Sequence, residues 1–314
     1  MCKEIVQMSN HFLPVALGAT AVLSFPVFAS AELVYGLTNF QNIVSFDSTT
    51  RAVSTTVPAA GFSIFGEFLR SIDTRPANGM LYGLSNMDRL FVINPTTGTS
   101  TLVGGPTSTS FGNATTPSID FNPTVDLIRV VTRTAQNGRI NPTTGALVDG
   151  DTVTAGVQPD PNLAYAAGDA GVGTTPAAVG AGYTNSRPGA TSTMLYTLEA
   201  NRDFLTVQNP ANAGTLTSVG SGLGVDLGAT SGFTGFDIAS SDNTAFLTTG
   251  TTLYTVNLTT GAAVLQGAIT GVPGFEQLSS IAVATIVPEP TGIAAAAIMG
   301  VPLLRRRRRA CYSC

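Results

Sequence analysis

Histidine, cysteine, lysine and tryptophan are missing from the whole central stretch of this 314-residue chain, from Glu32 to about Val287. The only histidine (His11), the only lysine (Lys3) and all three cysteines (Cys2, Cys311, Cys314) lie in the end segments, and tryptophan is absent altogether. Each absence removes a class of chemistry. Without cysteine there is no disulfide to hold an exported fold, so burial and backbone pairing must do so. Without His, Cys or Lys there is no Ser-His-Asp triad, no thiolate nucleophile and no Schiff base. The usual His or Cys zinc site is excluded too. Carboxylate chemistry, as in glycoside hydrolysis, and an oxygen-ligated cation such as Ca²⁺ remain possible in principle. The central stretch carries nine arginines against seventeen acids, a net charge of −8. An acidic surface of that kind argues against nucleic acid or anionic lipid as a partner.

What the stretch does contain is a turn signature that recurs five times. Its copies are Asp47-Ser48-Thr49-Thr50-Arg51, Asn94-Pro95-Thr96-Thr97-Gly98, Asn141-Pro142-Thr143-Thr144-Gly145, Asn209-Pro210 running to Gly214, and Asn257-Leu258-Thr259-Thr260-Gly261. Three of the four intervals between them are 47 or 48 residues and one is 68, which marks equal supersecondary units with one insertion. Asn or Asp bonds its own backbone two residues on, Pro presets φ for a type I turn, and Gly accepts the left-handed position that closes a hairpin.

Four strand-like runs accompany each turn. In the second unit these are Ser71-Ile72-Asp73, Met80 to Leu84, Arg89 to Ile93 and Thr99 to Val103. The third unit repeats the order, ending on Ala146-Leu147-Val148, and the fourth and fifth repeat it again. The first unit has no leading strand, and a spare strand, Ser279 to Ala284, stands at the far end. A ring closed by pairing its two ends needs that division, because it leaves no open sheet edge. The expected fold is therefore all-β, a five-bladed β-propeller of four-stranded blades in which Ser279 to Ala284 pairs with Leu33 to Leu37. A six-bladed ring is the alternative. It would need a sixth turn within the 68-residue interval, and none is found between Gly145 and Asn209. The extra residues there, roughly Asp151 to Thr175, are expected as a solvated loop; insertions in repeat folds otherwise tend to sit on the binding face.

The two ends read as processing segments around a domain spanning residues 32–286. Residues 1–31 have an apolar run, Phe12 to Phe28, followed by Ala29-Ser30-Ala31, an A-x-A cleavage pattern, and are expected to be a signal peptide handled by the Sec machinery. Residues 287–314 contain Pro288-Glu289-Pro290, then fourteen mostly small or apolar residues, Thr291 to Leu304, then Arg305, Arg306, Arg307, Arg308 and Arg309. Fourteen helical residues span roughly 21 Å, short of a ~30 Å hydrocarbon core, while the arginines favour the cytoplasmic side. This tail resembles the PEP-CTERM sorting signal of Gram-negative bacteria that make exopolysaccharide. The resemblance implies transient inner-membrane association, recognition and removal by an exosortase, and delivery to the cell surface or extracellular matrix. Ala310 to Cys314 extend past the arginines and depart from the usual pattern.

The central stretch is also similar to an uncharacterised exported bacterial domain of unknown function that often accompanies such tails. The resemblance rests on Leu-Tyr-Gly-Leu within Arg75 to Leu84, on Ile119 to Asp126, on Asp149-Gly150-Asp151, on Tyr165 to Asp169 and on Tyr183 to Ser186. It implies one exported domain and carries over no catalytic or binding residue.

Candidate site residues therefore come from position alone. Asp73, Asp120 and Asp237 occupy one shared position in the strands expected innermost, where they would converge on the axis and could hold a cation; the simpler expectation is that each caps a strand end. Asp149 and Asp151, with Asp160 and Asp169 nearby, have a calcium-compatible spacing without the rest of an EF-hand loop. Arg75, Arg129, Arg139 and Arg187 are available to pair with acids or to meet an anionic sugar. The reading these features favour is a non-enzymatic exported propeller, binding or structural, with polysaccharide as its partner. The alternative is a carboxylate- or Ca²⁺-dependent polysaccharide hydrolase or lyase.

Overall fold

The five turn copies fold as hairpins through the bonding their residues dictate. In the second copy, Asn94 Oδ1 accepts the N–H groups of Thr96 (2.9 Å) and Thr97 (3.2 Å), and Gly98 takes φ 74°. The side chains of Asp47, Asn141 and Asn257 accept the corresponding N–H pairs in their own copies. The fourth copy closes differently, through a 3-10 turn at Ala211–Ala213 and Gly214 at φ 68°.

The computed structural model describes residues 31–104, 111, 117–228 and 232–285. The cleavage residue Ala29, the motif Pro288-Glu289-Pro290 and Arg305 to Arg309 lie outside the described residues. Among the described residues no helix is long and apolar enough to cross a membrane.

Five sheets form the blades of a β-propeller. The first holds β1 (Leu33–Thr38), β2 (Asn42–Asp47) and β3 (Val53–Pro58). The second holds β4 (Leu69–Thr74), β5 (Leu81–Ser85), β6 (Leu90–Ile93) and β7 (Ser100–Leu102). The third holds β8 (Pro117–Asn122), β9 (Leu127–Thr132) and β10 (Asn137–Ile140). The fourth holds β11 (Ala164–Tyr165), β12 (Ala178–Tyr183), β13 (Leu195–Glu199), β14 (Phe204–Gln208) and β15 (Thr215–Ser218). The fifth holds β16 (Thr234–Ile238), β17 (Ala245–Thr249), β18 (Thr252–Val256) and β19 (Ala263–Ala268). The last strand, β20 (Leu278–Val283), returns to the first blade and pairs antiparallel with β1, Val34 opposite Val283 and Leu37 opposite Ser280. The first and last strands of the described residues thus meet in one sheet, as the division of strands requires.

Two blades depart from four strands. In the third, the expected strand Ala146 to Val148 is reduced to a bridge between Ile140 and Leu147. The chain then turns at Asp149, whose Oδ1 accepts the N–H groups of Asp151 and Gln158 in place of a ladder partner. In the fourth, the insertion is not merely a solvated loop. It supplies β11, which pairs parallel with β15 as a fifth strand, and it buries Leu163 and Asp160.

The core is divided among the blade interfaces. Among the described residues there are five buried apolar clusters, one between each adjacent pair, such as Leu37, Ile43, Leu69, Ile72 and Phe91 between the first and second blades. A blade covered on both faces has no polar-out side. That is why β5 is buried at every residue instead of alternating. The innermost strands β20, β4, β8, β12 and β16 each pack against the two beside them and close the ring around the axis.

Candidate functional site

The innermost strands carry a two-residue rhythm that explains why acids point at the axis. The repeated positions are Ser71 and Asp73 in β4, Ser118 and Asp120 in β8, Gly180 and Gly182 in β12, Gly235 and Asp237 in β16, and Ser280 and Ala282 in β20. Backbones of neighbouring blades diverge too much here to form a ladder, so side chains accept the N–H groups of the next strand. Ser71 Oγ takes Ile119 N (3.1 Å) and Asp73 Oδ2 takes Phe121 N (2.7 Å). Ser118 Oγ takes Ala181 N (3.0 Å) and Asp120 Oδ1 takes Tyr183 N (2.9 Å). Asp237 Oδ2 takes Val283 N (2.5 Å), and Ser280 Oγ takes Ile72 N (3.1 Å). Where the rhythm places glycine in β12, the next blade moves in instead: a Cβ on Gly180 would meet Phe236 Cβ at 2.6 Å.

Asp73, Asp120 and Asp237 thus meet at the axis, with one oxygen of each within 4.8 Å of the others. All three are buried, 2–4% exposed, and no arginine pairs with any of them among the described residues. Burial is the main reason their proton affinities rise. Asp73 is held well above the usual carboxylate range by burial and then by the charge of Asp237. Asp120 is held up by burial and then by Asp73 and Asp237, while Asp237 itself is pushed up to about 7 by burial. The three titrate as one coupled group, so the protons they retain belong to the cluster and not to a single carboxyl. Like charges so close cannot all ionise, and the cluster retains protons at neutral pH.

The arrangement limits what the cluster can do. Five of its six carboxylate oxygens accept backbone N–H groups: both of Asp73, both of Asp237 and Oδ1 of Asp120. A calcium ion, which takes 6–8 oxygens, would draw mainly on second lone pairs and would displace the retained protons. A sugar ring has no access to acids this buried. Carboxylates spaced for glycoside hydrolysis need an open cleft, which these do not line.

The other flagged acids do not assemble with the triad. Asp149 and Asp151 order their own turn, the latter accepting Val153 N and Thr154 Oγ1. Asp169 accepts Ser218 N and Oγ and lies 3.6 Å from Arg202. Asp160 is buried between Arg129 (2.6 Å) and Arg139 (2.7 Å), and Arg75 pairs with Asp126. Sequence reasoning flagged these arginines without their partners and passed over Ser71, Ser118 and Ser280. The serines had a readable signal, since each stands two residues before the shared Asp or Ala.

Residues 42–282 match the family described as Domain of unknown function (DUF4394). No curated protein matches the chain. A crystal structure of a structural genomics protein of unknown function from Bacteroides thetaiotaomicron is similar at 14% identity and a TM-score of 0.43, over 76% of this chain and 55% of that one. The dihydro-heme d1 dehydrogenase NirN in complex with DHE is similar at 10% identity and a TM-score of 0.35, over 77% of this chain and 45% of that one. The chain spans about half the length of either solved structure.

Proposed function

The chain belongs to the DUF4394 family, and from that premise we propose that it is an exported, non-enzymatic propeller acting at the cell surface or in the extracellular polysaccharide matrix as a binding or structural module. The observation that carries this reading is the commitment of the axial carboxylates. They are the one group of converging acids among the described residues, and they are spent on joining blades. A scaffold that uses its acids to close the ring and has no His, Cys or Lys in its central stretch is built to persist and to present surfaces. Export rests on the Ala29-Ser30-Ala31 pattern and on the tail from Pro288 to Arg309, with the Sec machinery and an exosortase as partners in transit.

The test is made on the protein recovered from the host. Mass spectrometry of the exported form should show loss of residues 1–31 and of the arginine tail, and the processed protein should co-sediment with the host's extracellular polysaccharide without shortening it. Full-length protein retained in the inner membrane would overturn the sorting part. Polysaccharide cleavage abolished by Asp120→Asn would overturn the non-enzymatic part.

A further inference from the structure

Between the third and fourth blades, at the end where β8 and β12 finish, lies a cavity of about 160 Å³. Its lining is unusual in what is left over. Arg129, Arg139, Asn122, Asn212 and Tyr183 line it beside Val125 and Leu127, and the polar five together hold more donors than acceptors. Asn122 Oδ1 is taken by Thr124 N and Oγ1, and Asn212 Oδ1 by Arg129 Nη2 (2.5 Å). Both amides are thereby oriented, and their Nδ2 groups have no acceptor among the described residues. Arg129 Nε is buried without one, in a side chain only 1% exposed, and the Nη1 of Arg139 and the Tyr183 hydroxyl have no protein acceptor among the described residues. The single carboxylate at the site, Asp160, is saturated: Oδ1 accepts Arg139 Nη2, and Oδ2 accepts Arg129 Nη1 and Arg139 Nε. Two guanidiniums share one carboxylate, so one positive charge stays uncompensated in a largely buried place. An uncompensated charge and a buried Arg129 Nε without an acceptor are each costly, and an oxyanion answers both at once.

We infer that this cavity is a carboxylate-binding pocket. On the proposed polysaccharide-facing role, on which this last step rests, the carboxylate belongs to an acidic sugar such as a uronic acid. The volume corresponds to roughly five waters at ~30 Å³ each, enough for a carboxylate and the carbons beside it but not for an oligosaccharide. Asp120 Oδ1 holds Tyr183 N at 2.9 Å, so the ring closure fixes one wall of the pocket.

The experiment is calorimetric titration of the full chain with sodium galacturonate, galactose, sodium acetate and sodium phosphate. Galacturonate should bind saturably and galactose should not. Tyr183→Phe removes one hydroxyl that no protein group uses, and should weaken galacturonate about tenfold with the melting temperature unchanged. Arg139→Gln should abolish binding. Galactose binding as tightly as galacturonate, or galacturonate and acetate both failing to bind, would overturn the pocket. So would an unchanged affinity in a folded Tyr183→Phe. Acetate binding that Tyr183→Phe weakens, with no retention on the host polysaccharide, would uphold the pocket and overturn the polysaccharide role. Polysaccharide retention untouched by Tyr183→Phe would do the reverse.

Discussion

At the scale of single residues, the axial aspartates tie stability to pH in a direction opposite to that of a salt-bridged acid. Their proton affinities are higher in the fold than in the unfolded chain, so the native state binds more protons at intermediate pH. The stability they contribute is fully present below about pH 4 and is lost as pH rises through the folded values, about 7 for Asp237 and well above the usual range for the other two. The stretch from Glu32 to Val287 has no histidine to add a titration in this window. Urea unfolding should therefore give lower stability at pH 8 than at pH 5, falling by at most about 1.4 kcal/mol per pH unit for each proton involved. Asp237→Asn should cost stability at pH 5, where it trades an acceptor for an amide beside Ile238 N and Val283 N, and should flatten the slope. Stability that rises from pH 5 to pH 8 would mean that the three acids are ionised in the fold. The same cluster gives the calcium test: a thermal melt with calcium and with chelator, repeated on Asp73→Asn and Asp120→Asn. Equal midpoints in the wild type would remove calcium from the axis, whereas a bound ion would raise the midpoint by mass action.

At the scale of elements, the hairpin turns join blades as well as closing them. Gly98 takes φ 74°, and a Cβ built on it would lie 2.0 Å from Pro58 O at the end of β3 in the preceding blade. Gly189 has a similar φ, 72°, with nothing within 4 Å of the same position. Gly189→Ala should therefore cost about 1 kcal/mol, the strain of a left-handed alanine alone, and Gly98→Ala roughly 2–3 kcal/mol, because the interblade contact must open too. Denaturant unfolding of the two variants checks this, and equal costs would mean the turn does not dock. The insertion offers a parallel case. Asp160→Asn leaves the buried Arg129 and the half-buried Arg139 with no carboxylate and should cost about 3–5 kcal/mol. These elements also show what could be read ahead of the structure. The Asn-x-Thr-Thr-Gly turns were legible because an Asn side chain bonds N–H groups two and three residues on. The shared position of Asp73, Asp120 and Asp237 was legible because the repeat carries it along the chain. Their partners were not, since Phe121 N lies 48 residues from Asp73 and is reached only across a blade interface. Arg129 was legible only as an arginine available to an acid or an anionic sugar; that it is buried within Leu127–Thr132 and paired with Asp160 was not, since that partner lies 31 residues on, along the insertion.

At the scale of the whole molecule, the ring is one cooperative object because each apolar cluster is shared by two blades. Removing one interface exposes two faces, and β20 serves three partners at once. It pairs with β1 along Val34 to Thr38, packs against β4 and β16 on either side, and supplies Leu278, Ile281 and Val283 to the cluster between the fifth and first blades. Its Ser280 Oγ receives Ile72 N and its Val283 N reaches Asp237, so the ring of interblade hydrogen bonds also opens when it leaves. Truncation after Gln277 should therefore abolish the cooperative melt and leave a chain that aggregates through the bared edge of β1, whereas truncation after Thr285 should melt like the full chain. Because truncation alone destroys many contacts, the sharper measurement adds the strand back. A peptide covering residues 275–285, mixed with the chain ending at Gln277 during refolding, should restore a cooperative melt, since main-chain pairing to an open edge is a sufficient binding mode. The same peptide with Ile281→Asp should not restore it, because it places a charge among Val34, Val44 and Phe46. A chain ending at Gln277 that stays monomeric and melts cooperatively unaided would show that four complete blades and a first blade without its innermost strand are stable without closure. The pairing of the two ends would then be a convenience of topology rather than the condition for folding.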